Sequence, residues 1–299
     1  MTLIKIFKLI FLNYTAILLT FFLLINNIES KGQSSRYEQN TEIGFFGGGS
    51  YYLGDLNDVH FNSTNPNAGL IIRRNIDKRF SYKAEFMLIN ISSDERNSKD
   101  SIASDRGLHF SNNMFEENGS PIYEVSGQVE FNFLPYELGN PLYVWTPFVY
   151  TGISIFHFNP KAENKNGEWV ELQPLGTEGQ GTTAFPERKK YSLIQFSLPI
   201  GAGVKIAISE YFNLIFEYGI RKTFTDYLDD VSTTYAGKNP GAINEYPIGM
   251  SQEAAEMSDP SQTHIIDEER GDPNKKDWYS FAGITLSFKM PKKNLGCDY

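Results

Sequence analysis

Apolar and polar residues alternate with a period of two along eight short stretches of this 299-residue chain. In the clearest of them, 194–206, every second residue has a small or apolar side chain. The polar residues Gln195 and Lys205 occupy positions between these residues. A period of two places successive side chains on opposite faces of a β-strand, so these stretches are predicted to be strands rather than helices. The predicted strands lie near 43–53, 67–75, 80–88, 125–133, 146–158, 194–206, 214–220 and 278–288.

Several charged residues lie in the middle of these strands, on the face opposite the apolar side chains. A soluble β-sandwich would expose such charges to water and bury its apolar face in a core. A transmembrane β-barrel inverts this arrangement, because lipid contacts the apolar outer face and the charges pack inside. A barrel of eight strands is too narrow for an open pore, so opposite charges inside it would pair and block it. The charged residues predicted for the interior are Lys83, Glu85, Glu130, Lys205 and Glu217, and Arg221 follows on the same polar face of its strand.

The lengths of the connections favour the barrel over the sandwich. Connections of about 13, 30, 30 and 50 residues alternate strictly with short turns, as in outer-membrane barrels with long extracellular loops and tight periplasmic turns. A sandwich has no reason to place all its long loops at one end. The sequence therefore predicts an all-β protein, an eight-stranded antiparallel transmembrane β-barrel of OmpA-like size with long extracellular loops.

Aromatic residues also cluster near the ends of the predicted strands, where the two membrane interfaces would lie. Outer-membrane barrels carry girdles of aromatic side chains at these levels. The residues predicted for the girdles include Tyr51, Tyr52, Phe80, Tyr82, Trp145, Phe156, Phe158, Tyr211 and Tyr279.

The N-terminus predicts export from the cytoplasm. Lys5 and Lys8 precede a long apolar run, and this order is typical of a secretory signal with cleavage near Ser30. An uncleaved membrane anchor is the alternative, because the run is long. The resulting division is a signal peptide at 1–30, a short segment at 31–40, the barrel at 41–290 and a tail at 291–299. An exported N-terminus and an even number of strands place both termini in the periplasm.

Composition and spacing narrow the possible functions. The formal net charge of −9 argues against a nucleic-acid-binding protein, which needs a basic surface to neutralise phosphates. The four histidines lack metal-binding spacing, so no metal site is expected from them. Ser154 and His157 lie three positions apart on a strand, hence on opposite faces, which disfavours a lipid-hydrolase dyad. We expect neither an enzyme nor a cofactor.

An acidic stretch, TDYLDD, directly follows the seventh predicted strand. Its carboxylates, Asp226, Asp229 and Asp230, could bind Ca²⁺, which takes several oxygen ligands. The spacing lacks the glycine turn and the distal glutamate of a known calcium loop, however. The preferred interpretation is a polar extracellular rim at which these carboxylates meet Arg221, Lys222 and other cations.

The single cysteine, Cys297, lies in the basic C-terminal tail. One cysteine cannot form an internal disulfide, so no disulfide framework is expected in this fold. A lone thiol in an oxidising compartment is either inert or pairs with another chain. An intermolecular disulfide at Cys297 is therefore a hypothesis.

Six strings in order along the chain resemble the PorG-like family of outer-membrane barrels, which belong to the type IX secretion and gliding machinery of Bacteroidetes. They are GGGSYYLGDLN (47–57), FNPKA (158–162), ELQPLGTEGQGT (171–182), RKKYSL (188–193), RKTFTDYLDDVSTTY (221–235) and RGDPNKKDWYSFAG (270–283).

The resemblance implies a non-enzymatic outer-membrane component that anchors or contacts a periplasmic ring of a PorK-like lipoprotein and PorN-like subunits. Such a component would help to export proteins that carry a C-terminal secretion signal, and its outer loops would fold into a cap over the barrel. An independent OmpA-like barrel, acting as an adhesin, an envelope stabiliser or a narrow porin, is the alternative.

Overall fold

The structure is a computed structural model that describes residues 37, 39–97, 101–237, 246 and 249–291. The predicted signal peptide, most of the segment 31–40 and Cys297 lie outside these residues, so the disulfide at Cys297 stays a prediction. The strands are β1 (Asn40–Leu53), β2 (Asn65–Asn75), β3 (Phe80–Ile89), β4 (Ile91–Asp94), β5 (His109–Asn112), β6 (Ile122–Asn132), β7 (Trp145–His157), β8 (Lys161–Glu163), β9 (Trp169–Glu171), β10 (Ile194–Ala207), β11 (Phe212–Thr223) and β12 (Trp278–Lys289).

Eight of these strands form a closed antiparallel barrel in the order β1-β12-β11-β10-β7-β6-β3-β2. The barrel closes between the first and last strands of the chain, where Phe45 pairs with Leu286 on one side and with Leu70 of β2 on the other. Closure gives every barrel strand two hydrogen-bonded neighbours, so no sheet edge is left open. The prediction of an eight-stranded antiparallel barrel is confirmed.

The connections alternate between the two ends of the barrel, but the predicted strict alternation in length holds only in part. Turns at 76–79, 133–144 and 208–211 lie at one end, here called the turn end. The other end, the loop end, carries four loops: L1 (54–64), L2 (90–121), L3 (158–193) and L4 (224–277). The three longest connections, L2, L3 and L4, therefore lie at the loop end, whereas L1 is about as long as the turn 133–144.

The outer face of the barrel is apolar. At the centre of β10, for example, the outward side chain of Ile200 is 50% exposed, and Ile153 on β7 is 70% exposed. An apolar band around a closed antiparallel barrel is suited to hydrocarbon, because lipid contacts the outside and polar groups face inward. The architecture is that of an outer-membrane β-barrel. Other outward apolar residues of the band are Phe45, Leu70, Ile72, Phe86, Val125, Val129, Ile155, Phe196, Phe216, Ile284 and Leu286.

The prediction of aromatic girdles is only partly right. Phe80, Tyr82, Trp145 and Tyr211 are exposed at the ends of their strands. Five others are buried at the loop end. Four of them lie under the loops that fold over the barrel mouth, whereas Tyr51 points outward and is covered by His60 and Phe61 of L1. These five are Tyr51, Tyr52, Phe156, Phe158 and Tyr279.

The loops carry their own secondary structure. Strands β4, β5, β8 and β9 form a second, four-stranded sheet, which joins L2 to L3. The short helices are α1 (Ser101–Arg106), α2 (Leu172–Leu175) and α3 (Gln252–Ser258). Ser251 caps α3, since its hydroxyl accepts a hydrogen bond from the Ala254 N–H group. In the described residues, none of the helices has the length and hydrophobicity to cross a membrane.

Two aromatic rings cross the barrel interior above inward-facing glycines of β10 and β11. Phe148 lies against Gly203, and a Cβ atom added to that glycine would be 2.7 Å from the phenyl ring. Tyr150 lies in the same way against Gly201 and Gly219. Only glycine leaves room for these rings, because real Cβ atoms do not approach carbon so closely.

Substitution of Gly219 by alanine is expected to destabilise the barrel by about 1–3 kcal/mol, since it overfills a packed interior. The new Cβ atom would lie 2.7 Å from Phe281 Cζ and would also overlap the Tyr150 hydroxyl. Urea unfolding in lipid vesicles measures the effect. Gly127→Ala is the matched control, because a Cβ atom there meets nothing within 4 Å. Equal stabilities of the two variants would contradict this account of the glycines.

Candidate functional site

A network of ion pairs fills the barrel interior, and Glu130 lies at its centre. The Glu130 carboxylate accepts hydrogen bonds from Arg73 at 2.7 and 3.1 Å and from Lys205 at 2.6 Å. Lys83 Nζ lies 3.8 Å from the same carboxylate. All four side chains are buried, and burial costs each charge its hydration. The attraction between the opposite charges must offset that cost.

A second group of ion pairs lies nearer the loop end. Arg221 Nε donates to Glu124 at 2.8 and 3.0 Å, and Arg221 Nη2 donates to Glu85 at 3.1 Å. Lys83 Nζ is 3.3 Å from Glu217 and 3.7 Å from Glu85. Lys83 therefore joins the two groups into one network along the barrel axis.

Three of the interior cations also lie over aromatic rings. This contact compensates part of their lost hydration, because the face of an aromatic ring is negative. The interior is consequently packed with side chains. The pairs, with the distance from cation to ring centroid, are Lys83 and Tyr150 (4.3 Å), Lys205 and Phe148 (4.6 Å), and Arg221 and Phe281 (4.6 Å).

The structure places the five predicted interior residues, Lys83, Glu85, Glu130, Lys205 and Glu217, inside the barrel and connects them. Sequence reasoning missed three further members of the network, Glu42, Arg73 and Glu124. Each of the three occupies an inward position of the same period-two pattern, and Glu42 lies 3.2 Å from Arg73. Ser154 lies inside against Ser197, with 2.5 Å between the hydroxyls, whereas the His157 ring lies 6.3 Å from the Tyr123 ring on the outside.

The prediction that Arg221 lies on the extracellular rim is wrong. It is fully buried in the barrel, because it shares the parity of the inward-facing Glu217 on β11. Lys222, the next residue, points outward and its ammonium group lies 4.1 Å from the ring centroid of Trp278. Neither cation therefore meets the acidic stretch that follows the strand.

The acidic stretch itself is not an open rim either. Asp226, Asp229 and Asp230 are all buried, because L3 and L4 pack over them. The loops form a joint structure above the barrel mouth, here called the cap, with an apolar core that continues into the barrel. Cap residues in this core include Leu56, Ile91, Leu108, Phe110, Phe158, Ala162, Leu172, Leu228, Val231 and Met257.

Glu178 of L3 is the main polar connection between L3 and L4. Its carboxylate accepts hydrogen bonds from the N–H groups of Ser232 and Thr233 and from the hydroxyls of Thr233 and Tyr227. It also pairs with the guanidinium of Arg270 at 3.1 Å. A buried carboxylate with this many donors holds the two loops in one arrangement.

Asp230 lies beside this connection. Its carboxylate accepts hydrogen bonds from Thr177 at 2.5 Å and from Tyr191 at 2.7 Å, and Arg270 Nη2 lies 3.8 Å away. Burial raises the pKa of Asp230 to about 6, although the positive charge of Arg270 opposes the rise. Burial and the charge of Glu178 likewise raise the pKa of Tyr227 to about 12.

Metal binding was the alternative interpretation of the acidic stretch. Within the part of the chain that the structure describes, no group of three or more His, Cys, Asp or Glu side chains is arranged to hold a metal ion. Asp226 instead accepts from the Ser232 hydroxyl at 2.8 Å and lies 3.8 Å from Lys276. Asp229 accepts from the Tyr52 hydroxyl at 2.5 Å.

Comparisons with known proteins give one family match. The model of a family described as Domain of unknown function (DUF6089) matches residues 16–173, which is more than half of the chain. The chain belongs to the DUF6089 family. A comparison with curated proteins gives no match.

Three solved outer-membrane proteins illustrate the structural similarity. Neisserial surface protein A is 8% identical, with a TM-score of 0.40 over 85% of this chain and 100% of that one. Ail, the attachment invasion locus protein of Yersinia pestis, solved in complex with the heparin analogue sucrose octasulfate, is 9% identical, with a TM-score of 0.38 over 85% and 100%. The N-terminal β-barrel domain of Pseudomonas aeruginosa OprF is 11% identical, with a TM-score of 0.35 over 84% and 98%.

Proposed function

We propose that this protein is an outer-membrane component of the type IX protein secretion machinery, and that it anchors or contacts the periplasmic ring of that machinery. The observation that carries the proposal is a barrel filled by ion pairs and aromatic rings and covered by a cap. A barrel packed in this way offers no passage for a solute, so its working surfaces are its two ends. The proposal is thus a function by protein contact, without catalysis or a cofactor.

The strings that resemble the PorG-like family support the choice of machine. They meet in three dimensions in the cap and at the barrel mouth. Glu178 and Tyr191 come from the strings 171–182 and 188–193 of L3, Asp230 from the string 221–235, and Arg270 from the string 270–283. Residues from separate strings therefore form one hydrogen-bonded structure. This contact is a physical reason for the strings to occur in the same chain.

The turn end is the surface proposed to meet the periplasmic ring. The turn 133–144 is held in a fixed shape: the Tyr136 N–H group donates to the Lys78 carbonyl at 3.0 Å, and Lys78 pairs with Glu137 at 3.0 Å. The Lys78 ammonium group also lies 4.2 Å from the ring centroid of Tyr143. This turn presents Leu142, which is 80% exposed. An apolar side chain on an ordered turn is suited to a pocket in a soluble partner, such as a PorK-like lipoprotein.

Deletion of the gene tests the proposal, with assay of the culture supernatant for enzymes that carry a C-terminal secretion signal. We expect secretion to be lost and to be restored by the wild-type gene. Unchanged secretion in the deletion strain would contradict the assignment to this machine. A detergent-solubilised monomer with no ring lipoprotein attached would instead favour an OmpA-like adhesin or envelope stabiliser, and defined single-channel conductance in planar bilayers would favour a narrow porin.

A pair of variants tests the contact surface separately. Leu142→Arg at the turn end is expected to reduce co-purification of the ring lipoprotein about tenfold or more. An arginine does not fit the apolar pocket of the partner, and the lost binding free energy is about 1.4 kcal/mol or more. Phe115→Arg is the control, since Phe115 is similarly exposed but lies in L2 at the loop end. If secretion requires the protein but the Leu142→Arg variant still co-purifies with the ring lipoprotein at the wild-type level, the assignment to this machinery holds and the proposed contact surface is wrong.

A further inference from the structure

A single hydroxyl group lies between two buried carboxyl groups at the barrel mouth. The Tyr52 hydroxyl oxygen is 2.5 Å from Asp229 Oδ2 and 2.9 Å from Asp277 Oδ1. Tyr52 is near the end of β1, Asp229 is in L4, and Asp277 directly precedes β12. The three side chains are at most 1% exposed. Water therefore has no access to this contact.

The hydrogen atoms at this contact can be counted. Asp229 Oδ1 accepts from the Val231 N–H group at 3.0 Å, and Asp277 Oδ2 accepts from the Leu228 N–H group at 2.8 Å. A phenol has one proton and can donate to only one carboxylate. The other short oxygen–oxygen contact consequently needs a proton on one of the two carboxyl groups.

The surroundings favour that extra proton. The cations of this region pair with other carboxylates, Arg270 with Glu178 and Lys276 with Asp226. Burial raises the pKa of both Asp229 and Asp277 well above the usual value, and the charge of Asp229 raises that of Asp277 further. The titratable and charged groups that face the pair are Tyr52 of β1, Asp55 of L1, Tyr191 of L3, and Asp226, Asp230 and Arg270 of L4. From β5, the uncharged ring of Phe110 packs against Tyr52 at 4.9 Å between centroids.

We propose that Tyr52, Asp229 and Asp277 share one carboxyl proton at neutral pH, and that this proton latches L4 onto the barrel mouth until a rise in pH removes it. Both sides of the latch are tied to backbone. Asp277 accepts from the Leu228 N–H group, and its own carbonyl accepts from the Thr223 hydroxyl at 2.6 Å. Loss of the proton leaves two carboxylates competing for one phenol, which favours the separation of L4 from β1.

The direction of the pH effect follows from the proton count. In the open cap both carboxyl groups are solvated and have ordinary pKa values of about 4. The closed cap binds one more proton than the open cap. The closed cap is therefore most stable below about pH 4, and its stability falls as the pH rises toward the raised pKa of the pair. The opening equilibrium increases about tenfold for each pH unit in this window and then levels off.

Hydrogen exchange of residues 224–237, measured by mass spectrometry on the full mature chain in detergent from pH 5 to pH 8, tests the latch. After correction for intrinsic exchange, the wild type is expected to lose protection about tenfold per pH unit over part of this range. Asp277→Asn should remove the part of this slope that lies above about pH 6, because the amide can donate to Tyr52 while its oxygen still accepts from Leu228. Below that pH both proteins should keep a slope, since burial raises the pKa of Asp230 to about 6. Asp58→Asn, which changes an exposed carboxyl group of L1, should keep the wild-type slope.

The infrared spectrum of the wild type tests the protonated carboxyl group without relying on the folding of a variant. The wild type at pH 7 should show the carbonyl stretch of a protonated carboxyl group, and this band should vanish over the pH range in which protection falls. The Asp229→Asn/Asp277→Asn double variant should lack it. Equal exchange slopes in wild type and Asp277→Asn above about pH 6 would overturn the latch, and so would a wild-type spectrum at pH 7 without the band. Secretion assays play no part, so the test stands apart from the proposed function.

Discussion

Replacement of Glu130 by alanine is expected to destabilise the barrel by about 3–5 kcal/mol, the range for breaking a buried ion pair by removing one partner. Arg73 and Lys205 would each lose their closest carboxylate, at 2.7 and 2.6 Å, and Lys83 would lose one of three. These cations cannot reach water, because their side chains are at most 1% exposed. Urea unfolding of the purified protein in lipid vesicles measures the loss.

Lys165→Ala is the matched control for Glu130→Ala. Lys165 also takes part in an ion pair, with Glu256 at 3.5 Å, but its side chain is 54% exposed. Its removal should cost about 1 kcal/mol or less, because water screens an exposed pair and replaces it easily. If both substitutions cost the same, the interior network does not contribute to stability in the way proposed.

Substitution of Ile200 by arginine is expected to destabilise the membrane-inserted barrel by about 2–4 kcal/mol, the cost of a cation on the lipid face at the bilayer midplane. Ile200 lies at the centre of β10 and points outward. The same unfolding assay in lipid vesicles applies, and heat-dependent migration on gels confirms that the variant has inserted.

Phe224→Arg provides the comparison for Ile200→Arg. Phe224 is also exposed, at 58%, but it lies just beyond the end of β11 at the loop end. An arginine at this level reaches the interface, so its cost should fall to about 0–1 kcal/mol. A larger cost for Phe224→Arg than for Ile200→Arg would show that the apolar band does not lie at the depth assumed here.

The barrel could be predicted from sequence because lipid and interior impose opposite chemistry on alternate residues. Val125 and Val129 face outward while Glu124 and Glu130 face inward, and this contrast persists along a whole strand. Strand ends are less informative. Tyr52 and Tyr82 are the same residue type, yet one is buried under L4 and the other faces outward, so residue type alone could not separate cap from girdle.

The resemblance to the PorG-like family implies a cap, but the contacts that build it could not be predicted from the sequence, for a different physical reason. Its decisive contacts join residues far apart in the chain, such as Glu178 and Arg270, and no periodic pattern connects them. Its strands have only three or four residues, as in β8 (Lys161–Glu163), which is too short for a reliable alternation. The assignment of Asp229 and Asp230 to an open rim was wrong. A local run of carboxylates does not indicate which distant segments, here L3 and the rest of L4, pack over it in the fold.

The ion pairs of the interior have a consequence for how this barrel assembles. Arg73 on β2 pairs with Glu130 on β6, and Arg221 on β11 pairs with Glu124 on β6, so partners come from strands that are not neighbours in the sheet. A partly inserted sheet that lacks its last strands would present these charges to hydrocarbon without their counterions. Intermediates should therefore be scarce, and insertion should proceed as one concerted event once all eight strands have come together.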